Sequence, residues 1–123
     1  YSRMTAMDMN RGEEAWMQPN GNGDRIRNHP QLRDLNLPLL GGDGRGGPVL
    51  TRTLLISALS AGGTDNGPRL IARDKATGEV FGSVDLPSGA IGTPMTYMLD
   101  GRQYIALTVG GRPPRLVAFA LPE

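Results

Sequence analysis

The sequence predicts an all-β fold, a partial β-propeller of about two and a half four-stranded antiparallel blades. Three observations predict it. A hairpin-like segment recurs: Met4–Trp16 lines up with Arg69–Phe81, and Arg115–Ala120 repeats the strand portion alone. The 18 glycines and 10 prolines of the 123 residues sit between short β-like runs, where they act as turn punctuation. Further strand pairs lie between the repeats, so antiparallel units follow one another in series.

Each copy of the repeat is a strand ending in Asp, a turn containing Gly, and a second strand carrying an aromatic residue. Asp8 and Asp74 are placed to accept backbone N–H groups inside their turns. Gly12 and Gly78 supply the positive φ that such turns need. Pro48–Thr51 with Leu54–Ser60 forms one intervening pair, and Met95–Leu99 with Gln103–Val109 the other. The second pair turns at Asp100-Gly101, a strong two-residue hairpin signal.

Residues 1–18 then form the outer hairpin of one blade, 48–86 a complete blade, and 87–123 a last blade of three strands. Residues 19–47 make a long inter-blade loop, read as a partly ordered excursion across one face. Leu32, Leu35, Leu37, Leu39 and Leu40 give its second half the means to pack down. A self-contained β-sandwich or small barrel is the alternative architecture. A chain that starts on Tyr1 within a strand-like run suggests an internal fragment or a processed product.

Composition excludes several classes. A net charge of +1 creates no field that recruits nucleic acid or an anionic membrane. The absence of Cys excludes disulfides and thiolate metal sites. No apolar run approaches the ~20 residues needed to span a bilayer. His29, the one histidine, stands between Asn28 and Pro30 in a polar loop and reads as solvated, so neither a metal centre nor a Ser/His/Asp set follows. Gly41–Gly47 is glycine-rich, but no helix pattern or Lys-Ser/Thr pair follows to make a phosphate loop. Met4, Met7, Met9 and Met17 fit one face of the strands better than a copper-binding run. Thr64-Asp65-Asn66-Gly67 reads as a hairpin turn. Trp16 reads as packing between blades, and Glu13, Glu14, Asp74, Glu79 and Asp85 as solvated acids at turns and outer strands.

Asp74-Lys75-Ala76-Thr77-Gly78-Glu79-Val80 resembles the turn motif of PQQ-type propeller repeats. Leu86–Met98, followed by Gly101–Ala106 and Gly110-Gly111, is similar to the last blade of quinoprotein alcohol and glucose dehydrogenases. Leu116–Pro122 resembles the end of the glucose dehydrogenase branch. The likeness is strongest over residues 69–122. It implies an eight-bladed enzyme with PQQ near its axis beside Ca²⁺, in which an Asp takes the substrate hydroxyl proton while hydride passes to the quinone. It also implies a periplasmic setting, the remaining blades of the same polypeptide as partners, and membrane attachment only through segments outside this chain.

By the same resemblance, the catalytic Asp and the metal ligands lie upstream, so no catalytic or metal residue is assigned here. Gly44–Pro48 corresponds to a loop that presses a large side chain near the PQQ plane, which makes Arg45, Gly46 and Gly47 cofactor-binding candidates. A surface role for Arg45 is the competing reading. Gly111 and Arg112 fall at the substrate mouth, where relatives carry Trp or His after the paired glycines. Arg112-Pro113-Pro114 departs from that pattern, as does Phe81-Gly82 where the family has Trp.

Three functions remain. One is the C-terminal part of a PQQ-dependent dehydrogenase acting on an alcohol or sugar, with the isolated part inactive. The others are a non-catalytic propeller scaffold and a small β interaction module.

Overall fold

The computed structural model describes residues 2–42, 46–60 and 67–122. Nine strands form three antiparallel sheets among these residues. The first sheet pairs β1 (Arg3–Asp8) with β2 (Glu13–Pro19). The second runs in the order β3 (Val49–Leu50), β4 (Leu54–Ala58), β5 (Arg69–Asp74), β6 (Val80–Asp85). The third is β7 (Met95–Leu99), β8 (Arg102–Val109), β9 (Arg115–Ala120). Each strand neighbours the next in sequence, so the meander order of a propeller blade is present in all three.

Local turn chemistry accounts for the hairpins. The Asp8 carboxylate accepts the N–H groups of Asn10 and Arg11 at 2.9 and 3.3 Å, and Asp74 accepts those of Ala76 and Thr77 at 2.8 and 2.9 Å. Gly12 and Gly78 close the two turns at φ 70° and 77°. Asp100 and Gly101 both have positive φ, 49° and 77°, as a two-residue type I′ hairpin requires. Both repeats carry a register shift at the same place, between Ala6 and Met7 and between Ala72 and Arg73.

That shared geometry shifts the repeat alignment by one residue throughout, bringing Asp8 onto Asp74 and Gly12 onto Gly78. Ala6 pairs with Trp16, whereas Ala72 pairs with Gly82. The structural counterpart of Trp16 is therefore Gly82, not Phe81. A one-residue slip along a strand moves a side chain to the opposite face, and Phe81 is 79% exposed. The methionines are also divided. Met4 is half-buried beside Ala6, while Met7, Met9 and Met17 are exposed, because residues 4 and 7 fall on opposite sides of a period-2 strand.

The inner strands β4 and β5 of the middle sheet are covered on both faces, which suits the largely apolar run Leu54–Leu59, while β6 is mostly exposed. Ile56, Ala58 and Leu70 on one face meet Ile105, Leu107 and Val109 of the third sheet to form the core. Ser57, Ile71 and Arg73 lie on the other face, towards the first sheet. There the Trp16 indole lies over Gly78 and donates from Nε1 to the Lys75 carbonyl at 3.0 Å. Arg73 is buried and donates to the carbonyls of Gly78 and Pro19 at 3.1 and 3.0 Å, crossing the seam between sheets. Removal from water lowers its guanidinium from the ordinary pKa.

Residues 20–42 leave the first sheet and return to it. They contain a short helix, α1 (Asp24–Arg27), and a 3-10 turn at Arg33–Leu35. Backbone bonds from Asn20 to Ser2, from Gly42 to Asn20 and from Ser2 to Gly42, at 2.9, 2.8 and 3.2 Å, tie the two ends together. Gly41 passes so close to the Ser2 carbonyl that no Cβ fits there. Leu32, Leu37 and Leu40 are partly covered, and Leu35 and Leu39 remain exposed.

Candidate functional site

The meander separates two kinds of connection. Tight turns, at 9–12, 51–53, 75–79 and 100–101, lie at one end of the sheets. The long connections, after β2, β4, β6 and β8, leave from the other. Connecting segments positioned by a rigid scaffold are where binding residues concentrate, and the described members of the predicted site, Gly46, Gly47, Gly111 and Arg112, belong to the long-connection end.

Gly46 and Gly47 lead into β3 and meet Gly92 and Thr93, which lead into β7. The Gly47 N–H donates to Thr93 Oγ1 at 3.1 Å. A Cβ on Gly46 would approach the Gly92 carbonyl oxygen to 3.0 Å, so the two backbones touch directly. Residues 89–91 in turn run beside the end of β8. Ala90 bridges Val109, Ile91 N–H donates to the Thr108 carbonyl at 3.0 Å, and Gly110 N–H donates to the Gly89 carbonyl at 2.8 Å. Backbone contacts thus link Gly46 through Gly92 to Gly110, with the exposed Ile91 side chain standing between Gly92 and Gly110.

Gly111 follows with φ 135°, and Arg112 is exposed beside it. Arg45 lies outside the described residues, as do Thr64, Asp65 and Asn66 of the predicted turn. His29 is exposed, and its Nδ1 accepts the Gln31 N–H at 3.3 Å. Among the described residues there is no group of three or more His, Cys, Asp or Glu able to hold a metal ion.

The segment Gly89–Thr93 was not singled out by sequence reasoning as part of a site. Its signal is the glycine spacing ahead of Thr93-Pro94, which marks a close approach of backbones but does not name the partner.

An apolar cavity lies elsewhere. A volume of about 660 Å³ opens between the second and third sheets towards the tight-turn end, lined by Thr53, Leu54, Gly82, Val84, Phe119 and Leu121 among others. It is mainly apolar and carries no titratable pair, so it has the character of an unfilled packing groove. Gly82 stands in it where the first sheet has Trp16, and a Cβ there would meet nothing within 4 Å.

Comparison with known proteins adds the following. The family model "PQQ: Glucose/ethanol/alcohol dehydrogenase, beta-propeller domain" matches residues 1–105. The large subunit of glycerol dehydrogenase from Gluconobacter thailandicus is 37% identical over 132 aligned positions, covering all of this chain and 17% of that protein. Subunit 1 of methanol dehydrogenase [cytochrome c] from Paracoccus denitrificans is 50% identical over 54 residues, 42% of this chain and 9% of the relative. The crystal structure of quinohemoprotein alcohol dehydrogenase from Comamonas testosteroni superposes with a TM-score of 0.57 at 25% identity, over 88% of this chain and 12% of that one. The chain thus spans about a sixth of the length of the first of these relatives. The all-β partial-propeller architecture agrees with this likeness.

Proposed function

The chain belongs to the β-propeller family of PQQ-type glucose/ethanol/alcohol dehydrogenases, and from that premise we propose that it forms the C-terminal blades of a quinoprotein that oxidises an alcohol or sugar hydroxyl. The observation that carries this reading is the glycine-built surface joining Gly46–Gly47, Gly89–Thr93 and Gly110 at the long-connection end.

That surface fits one side of a PQQ site. A planar, carboxylated quinone would pack on the glycine backbone beside the apolar Ile91 side chain, and Arg45 and Arg112, flanking it in sequence, offer cations for its carboxylates. When bound, PQQ supplies the hydride acceptor. The role proposed for Gly46 and Gly47 is to shape the wall beside it, and for Gly111 and Arg112 to border the substrate entrance. The described residues do not provide a Ca²⁺ cage. We place its ligands and the proton-accepting Asp in other blades of the same polypeptide.

Those blades are also the proposed partners of the exposed strand faces, with residues 1–18 the outer part of one blade, 48–86 a whole blade and 87–123 most of another. The setting we propose is periplasmic. Among the described residues no helix is long and apolar enough to cross a membrane.

The test is reconstitution of the full polypeptide with PQQ and Ca²⁺, followed by dye-linked oxidation of primary alcohols, polyols and aldoses. PQQ-dependent dye reduction is expected with at least one class. A full polypeptide that neither binds PQQ nor turns over any of them is a scaffold, and the reading fails. The 123 residues alone are expected to show no turnover.

A further inference from the structure

We propose that Thr93 is a positioning residue, holding the Gly46–Gly47 wall at the distance a planar cofactor requires; this rests on the reading that the wall faces PQQ. The segment before β3 and the segment before β7 belong to different sheets, and ladder pairing does not connect them. What connects them at the wall is the Gly47 N–H donating to Thr93 Oγ1 at 3.1 Å, across 46 residues of sequence. The contact is specific in its chemistry. Gly47 presents a backbone donor, and a hydroxyl is a short acceptor whose lone pairs suit it. Thr93 is stiff because it is β-branched, and Pro94, buried directly after it, restricts its backbone to extended conformations.

The surroundings leave little tolerance in one direction and much in the other. Gly46 already rests against the Gly92 carbonyl, where an added Cβ would come within 3.0 Å, so the wall cannot move inward. Outward, towards solvent, Gly47 and Thr93 are both partly or fully exposed, and the hydroxyl contact opposes separation. Without it the glycines, which have the widest backbone freedom of any residue, sample more positions. The apo-protein would lose little stability, since the bond is near the surface. The bound state would lose affinity, because ordering the wall is then charged to binding.

The experiment uses the full polypeptide in apo form. PQQ affinity is measured by equilibrium titration, following quinone absorbance and protein fluorescence, for wild type, Thr93→Val and Thr93→Ser, with thermal unfolding of each apo-protein recorded in parallel. The expected result is about a threefold to tenfold weaker affinity for Thr93→Val, the scale of one neutral hydrogen bond. Thr93→Ser is expected to restore most of it, with apo unfolding temperatures unchanged. If Thr93→Val fails to fold, Thr93→Cys, a poor acceptor of similar size to Ser, takes its place. Wild-type affinity for the variant lacking the hydroxyl overturns the inference, as does a loss that follows unfolding temperature and is not rescued by Ser. Gly46→Ala and Gly47→Ala separate the two failures. If they weaken PQQ binding while Thr93→Val does not, the site stands and Thr93 has no part in it. If neither weakens binding, the wall does not face PQQ.

Discussion

The indole of Trp16 joins the first two sheets through both its surface and its nitrogen. Its ring covers Gly78, and Nε1 reaches the Lys75 carbonyl. Trp16→Phe should keep most of the burial and lose about 1 kcal/mol with the hydrogen bond. Trp16→Ala should lose about 3–5 kcal/mol, both read from the denaturant midpoint of the full polypeptide. The two turn glycines give a sharper contrast. Gly12 and Gly78 have nearly equal φ, yet a Cβ on Gly12 meets nothing within 4 Å while one on Gly78 meets the indole at 2.6 Å. Gly12→Ala should therefore show only the left-handed strain of about 1–2 kcal/mol, and Gly78→Ala distinctly more. Equal losses at the two positions would mean that Trp16 swings aside without penalty. Arg73 sits at the same seam, where burial lowers its guanidinium pKa from the ordinary value. Its lowered folded-state pKa means that the burial penalty is full at every pH below that value and fades only as pH rises through it.

At the scale of strands, β6 carries a vacancy that β2 does not. Gly82 interrupts a strand interior, where glycine is weaker than alanine by about 0.5–1 kcal/mol, and it faces open space. Gly82→Ala should raise the unfolding midpoint of the isolated chain by that amount, and a decrease would show that something presses on this position. Strand pairing was readable from the sequence because its determinants are local: Asp8 to Gly12, Asp74 to Gly78 and Asp100-Gly101 each define a turn within a few residues. The equivalence of Trp16 and Gly82 was present in the sequence, since Gly82 stands as far after Gly78 as Trp16 does after Gly12, but residue type masks it. Trp16 and Phe81 match by residue type, whereas the turn residues and the bulges beside Ala6 and Ala72 set the register. The contact between Gly47 and Thr93 was hidden for a related reason, since its partners lie in different sheets and neither carries a motif of its own. The glycine pairs at 46–47 and 110–111 were visible, and the segment that unites them, 89–93, was not.

Taken as a whole, the chain has two outer sheet faces rich in apolar side chains. Met7 and Met17 are exposed on the first sheet, and Met95, Tyr97, Leu99 and Leu116 on the third, where Tyr97 stacks on Tyr104 at 5.2 Å. Faces of this kind do not stay in water when another is available. The isolated chain should therefore self-associate with rising concentration in analytical ultracentrifugation, and Leu99→Lys with Leu116→Lys should shift it towards monomer. A wild-type chain that stays monomeric at high concentration would mean these faces need no cover. The seam at Trp16 also bears on how such a protein emerges from the ribosome. The β1–β2 hairpin can form within ~1–10 μs of its synthesis. The carbonyl that receives its indole belongs to a residue 59 positions later, which at ~5–20 residues/s is translated about 3–12 s afterwards. For that interval the hairpin is complete and its tryptophan has nowhere to go, so slow codons or early termination between Trp16 and Gly78 would leave a sticky nascent chain for chaperones to hold.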